Sequence, residues 1–287
     1  MLYSASHITR HCYETPVSQS LSEVHLTPRS LSGQQVGQSS IQVKPEPANF
    51  LRRKDYFGNE AASFEIFEKH NCLTVEASSI VELLPPTVTP NSSISWEMAR
   101  DALAVPVDSQ HLEASEFVFD SPFVSTHPEL AEFARWSFAP GRPLLAAVKE
   151  LSHRIHSEFQ YQPQSTSIDM PLLEVLRQRR GVCQDFAHVM IGALRSLRLS
   201  ARYVSGYLRS SAQYRGAEAS HAWVAVFVPD CGWLSFDPTN DVQPSDGHLT
   251  LAWGRDYGDI TPIKGITIGG GRQTIEVEVR VQPLAAT

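Results

Sequence analysis

The apolar residues of this chain change period twice, and that succession limits the architectures open to it. Up to about residue 125 the chain reads as short extended pieces cut by Pro, Gly and Ser, among them SEVHLTPRS, SIQVKPEP, ASFEIFEKH and CLTVEASSIVEL. In the last of these Leu73, Val75 and Ala77 alternate with Thr74 and Glu76, the pattern of a half-buried strand. From Pro143 the apolar residues fall instead at Leu144, Val148, Leu151, Ile155 and Phe159, one stripe on a helix that has a proline in its first turn. A second helix is expected after Asp169 and Pro171, carrying Leu172, Leu173, Val175 and Leu176 and stopping at Gly181. A third begins near Cys183 and turns Phe186, Met190, Ala193, Leu194 and Leu197 inward. The shorter period then returns in ARYVSGYL, HAWVAVFV, GWLSFDPT and the terminal QTIEVEVRV, where Ile275, Val277, Val279 and Val281 alternate with polar residues.

These periods predict an α+β protein with a β-sandwich-like domain at residues 1–130 and a second domain at 131–287. The boundary falls in the polar and aromatic stretch from Pro122 to Arg142. The second domain is expected to pack its helices on one side of an antiparallel sheet that includes the terminal strand. With 42% hydrophobic and 19% charged residues the chain has the apolar content for a packed core. Its 24 basic against 31 acidic residues give a net charge of −7, so neither a nucleic acid nor a membrane surface is expected as a partner. The first twenty residues lack the charged start and apolar core of a secretory signal, and no stretch approaches a membrane span. Cys12, Cys72, Cys183 and Cys231 lie far apart without a C-x-x-C pair, so neither a zinc site nor a disulfide framework is expected. A cytoplasmic, reduced protein is the default on these grounds.

Arg180-Gly181-Val182-Cys183-Gln184-Asp185-Phe186 places a cysteine where a turn ends and a helix begins, so free backbone N–H groups and the helix dipole can stabilise a thiolate. A lone free cysteine is as often a small buried hydrophobe, and partners decide between the two readings. Ser220-His221-Ala222-Trp223 opens a strand downstream, and Phe236-Asp237-Pro238 ends the next one. A hairpin through Pro229-Asp230-Cys231-Gly232 brings His221 and Asp237 to one open end. Direct pairing of the two centres on residue 229, whereas the turn signal centres between Asp230 and Cys231, so a slip, a bulge or a diagonal contact is required. In that arrangement His221 takes the thiol proton of Cys183 and returns it to a leaving amine, while Asp237 fixes the imidazole.

The segments RRGVCQDFAHVMIGALRSLRLSARYVSGYL, ASHAWVAVFVPDCGWLSFDPTND and LAWGRDYGDITPIKG resemble the bacterial transglutaminase-like cysteine-enzyme family. The earlier fragments YETPVSQS, HLTPRS, VKPEP and DYFGN are similar to the β-rich region that precedes this core in bacteria. The resemblance implies a papain-like transglutaminase core and a triad of Cys183, His221 and Asp237. It implies acyl transfer through a thioester on a protein or peptide substrate, with no metal and no cofactor. Hydrolysis by a protease or amidase is the preferred branch. Amine-dependent cross-linking, a non-catalytic peptide-binding module and self-association into a homo-oligomer stay open. No calcium loop of the D-x-[DN]-x-[DN]-G type is present. The Cys183 N–H is the first oxyanion donor, with Tyr161 and Gln184 as candidates for the second. Trp223 and the run Arg255-Asp256-Tyr257 are candidates for lining the cleft.

Other signals are read as structural. His153 and His156 share a helix face without a third ligand and are taken as solvated. Gly269-Gly270-Gly271 precedes a strand and is taken as a hairpin turn. Arg52-Arg53-Lys54 and the arginines of 177–180 are read as solvated faces. The polar loop from Arg209 to Ala219 is read as a surface connection, with a lid as the alternative.

Overall fold

The computed structural model describes residues 1–84, 92–163, 170–211 and 213–284. Its first element, β1 (Leu2–Val24), is a 23-residue strand long enough to serve two halves of one sheet. The first half of β1 pairs with β5 (His70–Leu83), which in turn pairs with β2 (Gln34–Lys44). The second half pairs with β4 (Glu60–Ile66), flanked by β3 (Asn49–Lys54). Register against β5 shifts between Cys12 and Val17, where Pro16 has no N–H to give to a ladder. The two halves close on a shared cluster that includes Val24, Phe64, Ile66, Leu73 and Val75. The sandwich-like domain is thus made from one sheet folded about β1.

Cys12 and Cys72 face each other across β1 and β5, with Cα atoms 4.2 Å apart, and form a disulfide. This corrects the expectation that both lack partners. Sequence spacing carries no trace of a pairing set by strand register, and such bonds persist where the surroundings are oxidising.

Helices occupy a stretch expected to be extended. Helix α1 (Trp96–Ala104) is capped by the Ser95 hydroxyl, and α2 (Ser109–Ser115) by the Asp108 carboxylate. Both are too short and too polar to show a stripe, and they form because Leu103 and Ala114 pack against Phe227 of the later sheet. Next come α3 (Pro128–Arg135) and α4 (Leu144–Glu158), then the two-residue β6 (Gln160–Tyr161). Helix α5 (Leu172–Gln178), β7 (Arg180–Gly181) and α6 (Cys183–Ser196) follow. Three helices therefore stand where the stripes placed them, while Asp169, expected to lead into α5, lies outside the described residues. Helix α6 buries residues on every side, from Phe186 to Leu194, and forms the centre of the C-terminal half. It packs on a four-stranded antiparallel sheet made of β8 (Ala201–Leu208), β9 (His221–Val228), β10 (Gly232–Phe236) and β11 (His248–Gly254), in the order β10-β9-β8-β11.

The last strands, β12 (Ile263–Gly269) and β13 (Gln273–Pro283), leave this sheet and return to β1. This corrects the expectation of a terminal strand in the catalytic sheet; its alternation identifies a strand but not its neighbour. Nor do Gly269, Gly270 and Gly271 form a hairpin turn. Strands β12 and β13 run in the same direction along β1, and the three glycines, at φ 96°, 95° and 63°, carry the chain past Glu14 and Thr15. Sheet membership therefore does not follow a cut near residue 130.

Side chains of the N-terminal half seal the edge of the four-stranded sheet. The Gln34 amide exchanges two hydrogen bonds with the backbone of Thr250, and the Asn59 amide does the same at Trp253, so the free edge of β11 is paired without another strand. Arg29 lies 3.6 Å from the Trp253 ring centre, and Arg202 lies 3.8 Å from that ring and 4.0 Å from Trp233. Tyr207 meets His7 Nδ1 at 3.0 Å, and His7 Nε2 meets the Thr9 hydroxyl at 2.8 Å. Burial pushes the His7 imidazole down to about 4. An unfolded histidine titrates near 6.5, so this burial of a neutral ring costs stability as pH falls from about 6.5 toward 4, by roughly 3 kcal/mol. Urea unfolding at pH 7 and pH 4 should show His7→Gln losing less stability on acidification than the wild type; equal losses would show that His7 is not buried neutral.

Candidate active site

Cys183 is the first residue of α6, so its N–H has no acceptor within the helix and the dipole's positive end lies at its sulfur. The turn before it is fixed by Asp185, whose carboxylate accepts the Val182 N–H at 2.8 Å. Gly181 is required for this: a Cβ there would stand 2.5 Å from Asp185 Oδ2 and 2.8 Å from its Cβ. Strand β6 pairs in parallel with β7, setting Tyr161 opposite Gly181 and so beside the cysteine.

His221 opens β9 and Asp237 follows β10. The hairpin pairs Val228 with Gly232 and Val224 with Phe236, a register centred on residue 230. Extending it puts Asp237 opposite Trp223, so the contact with His221 is the diagonal one. His221 Nε2 lies 2.8 Å from Asp237 Oδ2, and both side chains are fully buried. Nδ1 is buried and has no hydrogen-bond partner among the described residues, and Cys183 acts on this ring through its charge. Burial opposes a charge on His221, but the Asp237 carboxylate, and then Cys183, outweigh it and hold the imidazolium up to about 10. Burial likewise opposes ionisation of Asp237, and the charge and hydrogen bond of His221, with the hydrogen bond of His248, reverse this and keep the carboxyl far below its usual range.

Five donors surround that carboxylate. Thr239 N and Asn240 N reach Oδ1 at 2.9 and 3.2 Å; His221 Nε2, Asn240 Nδ2 and His248 Nε2 reach Oδ2 at 2.8, 2.8 and 3.1 Å. Asn240 and His248 were not singled out from sequence. Asn240 stands three residues from Asp237 in a turn, a signal available in the DPTN run; His248 has no such mark. His153 is solvent-exposed, as expected, and its Nδ1 lies 2.7 Å from Asp241, while His156 is half-buried and its Nδ1 lies 2.9 Å from Thr239 O, so both also hold this turn.

Cys183 and His221 open into a cavity of about 310 Å³ whose wall includes Tyr161, Gln184, Tyr203 and Tyr257. Three expected lining residues are elsewhere. Trp223 is buried beneath His221, its ring centre 6.2 Å from the imidazole, because its indole needs the space left by Gly206. Arg255 is paired with Asp259, and Asp256 is buried as an acceptor for the Phe123 and Gly258 N–H groups. Burial foremost, and then the charge of Cys183, pushes the Tyr161 phenol well above its ordinary value, so it stays a donor. No group of three metal-ligating side chains occurs among the described residues.

The loop after β8 does more than connect strands. Arg215 N donates to Asn240 Oδ1 at 2.8 Å, Val279 N of β13 donates to Glu218 O, and Ser210 exchanges two hydrogen bonds with Val281. Gly216, at φ 83°, lies over the site: a Cβ there would stand 3.2 Å from both His221 Nδ1 and the Tyr161 hydroxyl. Gly216→Ala should therefore slow alkylation of Cys183 at least about tenfold at a stability cost of only about 1 kcal/mol, since strain and crowding fall on the reacting groups; an unchanged rate would place this loop away from the thiol.

Residues 3–82 match the model of the bacterial transglutaminase-like N-terminal region, and residues 133–238 that of the transglutaminase-like superfamily. An uncharacterized Mycobacterium tuberculosis protein is 35% identical over 295 residues, spanning 98% of this chain and 92% of its own. A protein-glutamine gamma-glutamyltransferase of Pseudomonas aeruginosa is 34% identical over 123 residues, 40% of this chain and 18% of that one. Among solved structures, a provisionally assigned cysteine protease from Cytophaga hutchinsonii superposes with a TM-score of 0.76 at 19% identity, covering 100% of this chain and 92% of its own, a likeness of fold. With the mycobacterial identity running almost end to end and both regions matched in order, the chain belongs to the transglutaminase-like superfamily and carries the bacterial transglutaminase-like N-terminal region.

Proposed function

We propose that the protein is a cysteine-dependent acyl-transfer enzyme that cleaves amide or peptide bonds through a thioester. Cys183 is the nucleophile, His221 the base and acid, and Asp237 the group that orients the imidazole. The observation that carries this reading is the fully buried His221–Asp237 pair at 2.8 Å, lining one cavity with a cysteine at a helix start. The thiolate attacks the amide carbon, and the oxygen gains the negative charge opposite the Cys183 N–H and the Tyr161 hydroxyl. The His221 imidazolium then gives its proton to the departing amine as the C–N bond breaks, leaving a thioester. His221, now neutral, removes a proton from water, which attacks the thioester; the acid leaves and the thiolate–imidazolium pair is restored.

Hydrolysis is the branch proposed for the second step, on a protein or peptide substrate. The similarity to the Pseudomonas aeruginosa glutamyltransferase supports a second reading in which a primary amine replaces water. The same thioester serves both. A cytoplasmic location is kept as a proposal, and the Cys12–Cys72 bond is the observation against it. Among the described residues no helix is long and apolar enough to cross a membrane.

Iodoacetamide at pH 6 followed by intact-mass measurement should label Cys183 once and rapidly, while Cys231, whose thiol burial and Asp230 push up, reacts slowly. His221→Ala should abolish the fast label and Cys183→Ala should remove it with little change in melting temperature. Turnover should decline above about pH 10, where His221 loses the proton it must donate. Slow labelling of wild-type Cys183 would overturn the proposal. Labelled-amine incorporation that outcompetes water would select the transfer branch.

A further inference from the structure

Asp237 serves two imidazoles, and only one of them faces the thiol. His248 begins β11 opposite Leu208 of β8 and is 5% exposed. Trp223 packs edge-on against its ring at 5.3 Å and 90°, and Tyr214 of the loop packs against it at 5.5 Å and 80°. Its Nε2 lies 3.1 Å from Asp237 Oδ2, and its Nδ1 is buried without a hydrogen bond among the described residues. A phenylalanine or leucine would fill an aromatic box of this kind with no orphaned nitrogen. The single polar contact of His248 is therefore what distinguishes it from a packing residue, and that contact falls on the same oxygen that orients His221.

We infer that His248 is a positioning residue for the triad: it donates its Nε2–H to Asp237 Oδ2 and holds the carboxylate in the orientation that fixes the His221 ring toward Cys183. The inference rests on the acyl-transfer reading of the site. It acts through Asp237 and has no contact with the reacting atoms. Because Nδ1 has no hydrogen-bond partner among the described residues, the Nε2–H bond to Asp237 is the one that fixes the ring. Tyr214 and Arg215 join this arrangement from the loop: the first packs edge-on against His248, and the second binds Asn240, which also donates to Oδ2.

Two polar substitutions separate reach from polarity. The side-chain amide nitrogen introduced by His248→Gln falls near the position of the imidazole Nε2, whereas that introduced by His248→Asn falls near Nδ1 and stops short of Asp237. The first readout is the low-field imidazole N–H proton resonance of His221 in nitrogen-15-labelled full-length protein, assigned by its loss in His221→Ala. It should keep its position in His248→Gln and move or broaden in His248→Asn. The second is the iodoacetamide rate at Cys183 at pH 6, relative to that at pH 10, where any thiol is ionised. That ratio should fall about tenfold in His248→Asn and recover to within about twofold in His248→Gln, the size expected for one hydrogen bond to a charged group. A His221 resonance unchanged in His248→Asn overturns the inference whatever the activity. A resonance that responds to His248→Asn in a protein whose wild-type Cys183 is unreactive sustains the positioning and overturns the acyl-transfer reading alone.

Discussion

An ionised carboxylate with no exposure to water is the constraint on which the catalytic half is built. Left alone in the interior, Asp237 would take up a proton or unfold its surroundings. Backbone N–H groups of its own turn, an amide three residues on and two imidazoles from different strands together cancel that cost. Each donor fixes an element. β9 must start where it does for His221, β11 for His248, and the 237–242 turn must close for Thr239 and Asn240, with the isolated Asp237–Val242 bridge at its base. Helix α4 then clamps the turn from outside through His153 and His156.

The same reasoning explains why the N-terminal sheet is not an appendage. The catalytic sheet has an open edge at β11, and two amide side chains, from Gln34 and Asn59, complete its hydrogen bonds. The loop over the thiol is fastened to β13, a strand that lies on β1. Geometry at the cysteine is thus set partly by residues more than a hundred positions away in sequence, through bonds from one sheet to the other.

What could be read from the residues divides along a physical line. Helices α4, α5 and α6 were legible because each has a one-sided or all-round apolar pattern that does not depend on its neighbours. Cys183, His221 and Asp237 were legible because each sits at an element boundary marked by local turn chemistry. Even the misfit of the hairpin register was informative, since a diagonal contact is what the strands adopt. Helices α1 and α2 were not legible: seven to nine residues with polar faces carry no period, and their stability comes from Phe227 on a distant strand. The placement of β12 and β13, the Cys12–Cys72 pairing and the roles of His248 and Asn240 all depend on which segment lies beside which. Alternation is silent on that. Trp223 and Asp256 show the reverse failure, because residues beside a motif in sequence can point into the core and not the cleft.

The return of β12 and β13 to β1 places the synthesis of the protein under an ordering rule. Tyr3 pairs with Pro283, and His7 with Val279, so β1 waits for β13 before its sheet is closed. During translation Cys183, His221 and Asp237 all leave the ribosome before β13, the strand that fastens the loop beside them. A chain made only as far as β11 therefore contains all three residues while the loop beside them still lacks its bonds to β13. Contacts of such long sequence separation also form slowly. Fastening of the loop thus depends on β13, and loss of that strand would remove its bonds to Glu218 and Ser210 without touching Cys183, His221 or Asp237.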